Sequence, residues 1–473
     1  MNSINQESGG ILKGMLNNLS NHLEDYHECF INETSDGHEL CENYITGLIK
    51  TESGKRNIER INEEIELSGD SYQRIQQFIT NSPWSSEKVN GLVAQNTSDL
   101  YSDQPNYCSR DVGYIIDDSA HLKKGNHSVG VSRQYAGVVG KVDNCQVGVY
   151  SSLVWKSHSA LVNCRLYLPE SWTSDKDRCE KAGIPPEACV FKTKQELALD
   201  MIKADMAAGI EFGWVGGDGF YGHGQELSNS LENMGLTFIF DVHCNQNIYT
   251  VKPIISALEK EIGSSHRTTK FHADIDPITV KKYESQLTEF EWRNITVRNA
   301  TKGPLTLSIN VRKVWVWDGK SDCAKERVLV ISKNLSDNKI KYSISNADRA
   351  TTLTERFAYM QAQRYWVERA FQEAKSELGM SDYQIRTWNG WHHHMALVML
   401  SLSFIVKERI KHKIEYPLLS CRDVRLIIIS LLTKDESLID KRISHMEFRH
   451  RQRLKDIDRR YMKSQPGLSM VVN

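Results

Sequence analysis

The segment Arg364-Tyr-Trp-Val-Glu368-Arg-Ala-Phe371-Gln-Glu-Ala-Lys375 sets an Arg, a Glu, a Phe and a Lys at spacings of four, three and four. On a helix such spacing gathers all four on one face. A carboxylate between two cations could hold a divalent metal beside a pair of phosphate clamps, which is what cutting a nucleic-acid backbone requires. An amphipathic helix with ion pairs gives the same pattern. Two upstream acidic segments favour the first reading. Tyr114-Ile-Ile-Asp117-Asp118-Ser119 is a short apolar run ending in acids, and Ile210-Glu-Phe-Gly-Trp214-Val215-Gly-Gly-Asp218-Gly219-Phe-Tyr221-Gly222 is another, rich in glycine. Each reads as a buried strand with a carboxylate at its exit, although a turn aspartate fits either place. Asp, Asp and Glu on two strand ends and a helix could converge on two divalent cations for in-line displacement at phosphorus. Carboxylates suit Mg²⁺ or Mn²⁺.

The elements that would position these acids can be read from apolar patterning. Gln146–Trp155 and Ala160–Leu168 are strand-like, Thr193–Ala208 is helical with Leu197, Met201, Ala204 and Ala208 on one stripe, and Leu236–His243 is a further strand. This order predicts an α/β fold with a mixed sheet flanked by helices. Residues 1–105 look helical and polar, 106–244 form the first part of a core, and 245–346 turn to short strands and polar turns. Residues 347–410 return to the core with the third acid, and 411–473 are helical and basic. Ala396–Val406 is too short to span a membrane and reads as a buried core helix. Asp143 and Asn144 read as turn residues. His392, His393 and His394 point in different directions on a helix, so they cannot chelate one ion together. They read as helix-surface residues.

Charge is balanced overall, 59 basic against 60 acidic residues, and so names no partner. Its distribution is less even. From Phe404 to Asn473 there are 16 Lys plus Arg and 9 Asp plus Glu, a run that suits either phosphate neutralisation or a solvated tail. Ten cysteines without a Cys-x-x-Cys pair, and an N-terminus without a basic-then-apolar leader, predict a reduced cytoplasmic protein with no membrane association.

Several ordered motifs carry a family resemblance. They are Asp117-Asp118-Ser119 followed by Lys123-Lys124-Gly125, Ser128-Val-Gly-Val-Ser-Arg133-Gln134-Tyr135, Gly140-Lys141-Val-Asp143-Asn144-Cys145-Gln146, Arg165-Leu-Tyr167-Leu-Pro169-Glu-Ser-Trp172, Gly217-Asp218-Gly-Phe-Tyr221-Gly222, and Arg364 to Lys375. From about residue 20 to about residue 405 the chain resembles the cut-and-paste insertion-sequence transposases of the DDE class, in the branch with a Tyr-Arg-Glu-Lys signature. The resemblance implies an RNase H-like core, two Mg²⁺ (or Mn²⁺) ions, and catalytic, metal-binding acids at Asp118, Asp218 and Glu368. A Ser after the first acid favours Asp118 over Asp117. Arg364 and Lys375 match the signature cations and would hold phosphate, whereas the signature tyrosine falls at Gln361 and is missing. Tyr359 and Tyr365 are weak substitutes by spacing. Lys123, Lys124 and Arg133 are further candidates for phosphate contact.

The resemblance also implies that residues 1–105 recognise terminal inverted repeats, although dimerisation or scaffolding fits them too. Residues 245–346 correspond to a β-rich insertion, in which Trp315 and Trp317, two apart on one strand face, either stack a DNA base or pack in the core. The implied partners are double-stranded DNA, as transposon ends and target, and a second copy of the chain. Such a protein would act in the bacterial cytoplasm at the nucleoid, cleaving transposon ends and transferring the 3′-hydroxyl into target DNA. A metal-dependent nuclease without strand transfer and a catalytically silent DNA-binding descendant are the alternatives.

Overall fold

A computed structural model describes residues 11–33, 35–65, 69–257, 271–300, 303–433 and 436–464. The end of the basic C-terminal run, residues 465–473, lies outside them, as do residues 258–270 of the expected insertion. The chain divides into two compact units. Unit 1 is Met1–Val112, Ile116–Phe212 and Trp366–Gln452, and unit 2 is Gly113–Ile115, Gly213–Tyr365 and Arg453–Asn473. Most of the strands belong to a mixed sheet flanked by helices, the α/β, RNase H-like class expected.

In unit 1 the strand carrying Asp117 and Asp118 neighbours Lys141–Trp155, which pairs antiparallel with Ser132–Ala136 and with His158–Leu166. Residues 145–155 are buried throughout, as expected of β-branched and small residues covered on both faces. The acid-bearing strand runs Gly113–Leu122. Its acids therefore lie mid-strand rather than at the exit, because Ser119, Ala120 and His121 continue the strand. Asp143 and Asn144 likewise lie in a strand and not in a turn.

Helices cover this sheet. Trp388–Lys411 has nearly all its middle residues buried, including every residue of Ala396–Val406, and the polar N-terminal helices, among them His38–Lys50 and Ser86–Ser102, pack on it. Lys194–Ala207 starts with a Thr193/Glu196 capping box, the sequence signature of a helix start. Its buried stripe is Ala198, Met201, Ile202 and Asp205. Ala204 and Ala208 are exposed, because Asp205 turns inward to accept from Asn163 Nδ2 at 2.8 Å.

In unit 2, Trp214–Gly217 and Phe238–Asp241 run parallel, Gly217 opposite Phe240. An antiparallel meander follows on the Phe238–Asp241 edge: Ile340–Ser345, Lys325–Asn334, Gly303–Val316 and Arg293–Ala300. The β-rich segment is thus hydrogen-bonded onto a core strand, with Ser343 opposite Asp241. Its own core gathers Val314, Leu329, Ile331, Tyr342 and Ile344 with Ile248 and Val280. Among the described residues no helix is long and apolar enough to cross a membrane.

Candidate active site

Strand alternation sends Asp117 and Asp118 to opposite faces. Asp118 Oδ2 accepts from Lys194 Nζ at 3.0 Å, a pair in which both side chains are about four-fifths covered. Asp117 faces the other way. Burial lowers the Lys375 pKa and the charge of Asp117 acts against that shift, which puts the two groups within electrostatic reach of one another. Four residues further along that face, buried His121 stacks on Tyr150 at 6.4 Å, and the Tyr150 ring meets Phe371 edge-on at 5.4 Å. His121 is held far below the usual histidine range by burial, then by the charges of Lys375 and Lys123.

Phe371 and Lys375 stand three and seven residues after Glu368 on the helix Tyr365–Leu378, and these spacings share one stripe. Glu368 is exposed near the start of that helix. The Glu368 helix therefore covers the Asp117 face of the strand, and Asp118 lies on the face turned away from it. The Ser119 that favours Asp118 in the sequence carries no information about the pleat.

The far end of the Glu368 helix is fixed by a residue from the N-terminal region. Arg56 is fully buried and donates to Ser376 O at 3.2 Å and Glu377 O at 3.0 Å, the carbonyls of the last helical turn, and to Asp382 Oδ2 at 3.3 Å. A guanidinium there satisfies carbonyls that have no intrahelical partner and opposes the helix dipole. Gly379, at φ +72°, ends the helix, and a Cβ on it would stand 2.5 Å from Arg56 Cδ. Arg56 is thus a buried structural arginine, while its neighbour Lys55 is exposed.

In unit 2, Asp218 follows the strand Trp214–Gly217 and folds onto its own backbone. Its Oδ1 accepts from Phe220 N at 3.0 Å and from Tyr221 N at 3.4 Å. The glycine-rich segment serves close packing: a Cβ on Gly222 would stand 2.3 Å from Asp241 O. Asp241 ends the neighbouring parallel strand, so its carboxylate follows the same strand-end logic as Asp218. Arg364 Nε donates to Asp241 Oδ2 at 2.8 Å, and Ser343 Oγ to Asp241 Oδ1 at 2.7 Å.

Arg364 does not share the Glu368 helix. It caps the preceding helix Thr354–Gln363, and the next helix begins at Tyr365. The expected continuous face is broken there because Arg364 is drawn to Asp241, while the Tyr365 ring sits under the Arg298 guanidinium at 4.3 Å. Gln361, at the missing signature tyrosine, is buried and donates to Ser343 Oγ at 2.8 Å. The Tyr359 ring lies 5.3 Å from the Arg356 guanidinium.

The other candidates separate by exposure. Lys123 Nζ donates to Tyr383 O at 2.7 Å and lies 3.4 Å over the Tyr383 ring, and burial lowers its pKa to about 7. Lys124 and Arg133 are exposed. Trp315 and Trp317 are half-buried and outside the meander core, which takes Val314 and Val316 from the alternate face. Trp317 stands one residue past its strand and donates from Nε1 to Ser321 O at 2.9 Å.

The histidine run is not a surface feature. His393 is buried against Ile79 O and Trp84 O, and His394 against Tyr44 Oη at 2.8 Å and Gly379 O at 3.2 Å. The next turn of that helix, Met395–Val398, is buried throughout, so the run lies on a helix packed on all sides there. Sequence reading assigns no role to Lys194, Asp241 or the helix-capping function of Arg56. Only Asp241 had a visible signal, an apolar strand ending in an acid like the other two.

The carboxylates offer oxygen donors, which fit a hard divalent cation. Among the described residues no three His, Cys, Asp or Glu side chains are grouped to hold a metal ion. Comparison with known proteins agrees with the motifs. A probable transposase for insertion sequence element IS701 from Microchaete diplosiphon is 23% identical over 317 residues, 67% of this chain and 69% of that protein. The model of the DDE superfamily endonucleases matches residues 25–304, a span that includes Asp117, Asp118 and Asp218 and stops before Glu368. With more than half of its 473 residues in that match, the chain belongs to the DDE superfamily endonuclease family.

Proposed function

We propose that the protein is a transposase that cuts DNA at transposon ends and joins the resulting 3′-hydroxyl to target DNA. The observation that carries this reading is the shared face of Asp117, Lys375 and the Glu368 helix within unit 1, described above. The first acid is then Asp117, with Asp118 engaged by Lys194 on the opposite face. Glu368 is the acid of the signature helix, and the motif assigns Asp218 as the second acid. Mg²⁺ or Mn²⁺, when bound by these carboxylates, supplies the lowered water pKa and the charge neutralisation of an in-line displacement.

The chain's own groups do the rest. Lys375 places a positive charge on the acid-bearing face, where it neutralises a backbone phosphate as a point charge. Arg364 offers a planar fork to phosphate once it exchanges the Asp241 carboxylate for DNA. Asp218 is oriented by two backbone N–H groups, which fix the direction of its carboxylate. Exposed Lys124 and Arg133 contribute salt-sensitive phosphate contacts. Trp315 is the better placed of the two tryptophans to stack a base, because it stands on a paired strand. The DNA is double-stranded, comprises the inverted repeats of the element and its target, and is held by two copies of the chain.

The test uses labelled duplexes made from the DNA that flanks this gene, a supercoiled plasmid target, and Mg²⁺. Joined product is expected. Cut ends without joined product would support the nuclease reading instead, and binding with no cutting in Mg²⁺ or Mn²⁺ would support a silent descendant. Full cutting in excess chelator contradicts the metal-dependent reading altogether.

A further inference from the structure

The hairpin formed by Ser132–Ala136 and Lys141–Cys145 has two unlike faces. Ala136 and Cys145 point inward and form a buried cluster with Val147, against which Ala120 and Tyr167 pack. This anchors the root. On the other face Tyr135 stands opposite Val142, and Arg133 opposite Asn144. Tyr135 is 65% exposed, Val138 61% and Val142 53%. Around the turn, no heavy atom outside the neighbouring residues lies within 4 Å of where a Cβ on Gly137 or Gly140 would stand, so the tip projects clear of the fold.

Cations frame this apolar tip. Arg133 shares the Tyr135 face and is exposed, and Lys141 is exposed at the end of the turn. Asn144 Nδ2 donates to Lys123 O at 2.8 Å and to Gly125 O at 2.6 Å, which fastens the loop carrying exposed Lys124 to the hairpin's outer face. The one carboxylate of the hairpin, Asp143, lies on the opposite face and is paired with Lys141 at 3.6 Å.

Burying these three apolar side chains against another protein would leave these cations facing that protein's surface. A DNA groove instead offers phosphates on both sides of an apolar stack of bases. Proteins that bend DNA combine these features, an apolar wedge at a base step and basic residues on the flanking backbone.

We propose that this hairpin is a DNA wedge, with Tyr135 and Val142 entering a base step of the bound duplex while Arg133 and Lys124 grip the phosphates to either side. The proposal rests on the reading of the chain as a DNA-cutting protein. It adds a contact that deforms the substrate, since an aromatic ring stacked on an unpaired base face compensates for the stacking lost in the duplex.

The experiment uses full-length protein carrying Asp218→Asn, so that the DNA stays uncut, and gene-flanking duplexes with the fluorescent adenine analogue 2-aminopurine at successive positions. Fluorescence should rise severalfold at one or two adjacent positions, where the base is unstacked. Adding Tyr135→Ala should abolish the rise and weaken binding about tenfold, and Tyr135→Phe should retain both. Val138→Ser, at the tip, gives a variant that leaves the hairpin root intact and should weaken the rise partially.

An unchanged fluorescence pattern with Tyr135→Ala overturns the wedge even if the wild-type chain cuts these ends, which leaves the functional reading standing. A shift in the sedimentation of DNA-free protein on Tyr135→Ala, with DNA binding unchanged, also overturns it and makes the tip an interface between copies. Absence of any binding by the wild-type chain overturns the functional reading and the wedge with it.

Discussion

The strand acids of the two units differ in how they are held. In unit 1 Asp118 is held by a side-chain cation, Lys194, at 3.0 Å, while Asp117 on the opposite face accepts from the backbone N–H of Asp118 at 2.8 Å. In unit 2 Asp218 is held by its own backbone, through the N–H groups of Phe220 and Tyr221. An acid held by a side-chain cation can exchange that partner for a phosphate or a metal as ligands arrive. An acid held by backbone is oriented before they arrive. Of the pair in unit 1, only Asp117 lies on the side covered by the Glu368 helix, and the difference is set by the pleat rather than by residue type.

The sharpest way to break this comparison is to change charge without changing support. Asp218→Asn keeps an oxygen that can accept from Phe220 N, so the melting temperature should stay near that of wild type. Cleavage should nevertheless fall by roughly a thousandfold or more, since metal-assisted charge stabilisation is worth several kcal/mol. A large loss of stability would mean that the carboxylate is structural.

Next in size is the support of the Glu368 helix. Arg56→Met removes a buried guanidinium and leaves Asp382 and two helix-end carbonyls without it. Breaking such a buried pair costs about 3–5 kcal/mol, and urea melts should register it. A smaller effect is expected at Gly222, where a Cβ would meet the Asp241 carbonyl. Gly222→Ala should cost about 1–3 kcal/mol by overpacking, and an unchanged urea midpoint would show that the close approach relaxes freely.

The smallest effects separate the buried from the exposed lysine of the Lys123-Lys124 pair. Burial lowers the Lys123 pKa to about 7, below its value of about 10.5 in an unfolded chain. Folding therefore opposes its protonation. The penalty is complete below pH 7 and disappears as the pH rises towards 10.5. Lys123→Met should accordingly improve in stability relative to wild type as the pH is lowered from 9.5 to 6, with little change in the salt dependence of DNA binding. Lys124→Ala and Arg133→Ala should each reduce that salt slope by about one. A slope change for Lys123→Met comparable with theirs would return Lys123 to the DNA surface.

Much of this fold was legible because apolar runs and glycines act locally. Apolar periodicity marked a helix over Thr193–Ala208, and the continuous apolar stretch Ala396–Val406 marked a buried helix. The acids were legible as residue types at strand-like positions. Their facing was not, because a pair of adjacent aspartates places one on each side of any strand and only tertiary packing decides which side the signature helix covers. Tertiary pairing also overrode helical spacing at Arg364, where Asp241 lies 123 residues earlier in the chain. The same holds for His393 and His394, which read as helix-surface residues in the sequence, and for buried Arg56. Their partners are backbone carbonyls from distant segments, which no local pattern encodes.

The most direct test of the central claim is the rate of end cleavage in Mg²⁺ by Asp117→Asn, Asp118→Asn and Glu368→Gln, measured beside end binding for each. Asp117→Asn and Glu368→Gln should lose cleavage together while binding the ends, and Asp118→Asn, which disturbs only the pair with Lys194, should retain most of its rate. Cleavage that survives Asp117→Asn and is lost in Asp118→Asn would contradict the assignment of the catalytic face to the side of the strand covered by the Glu368 helix.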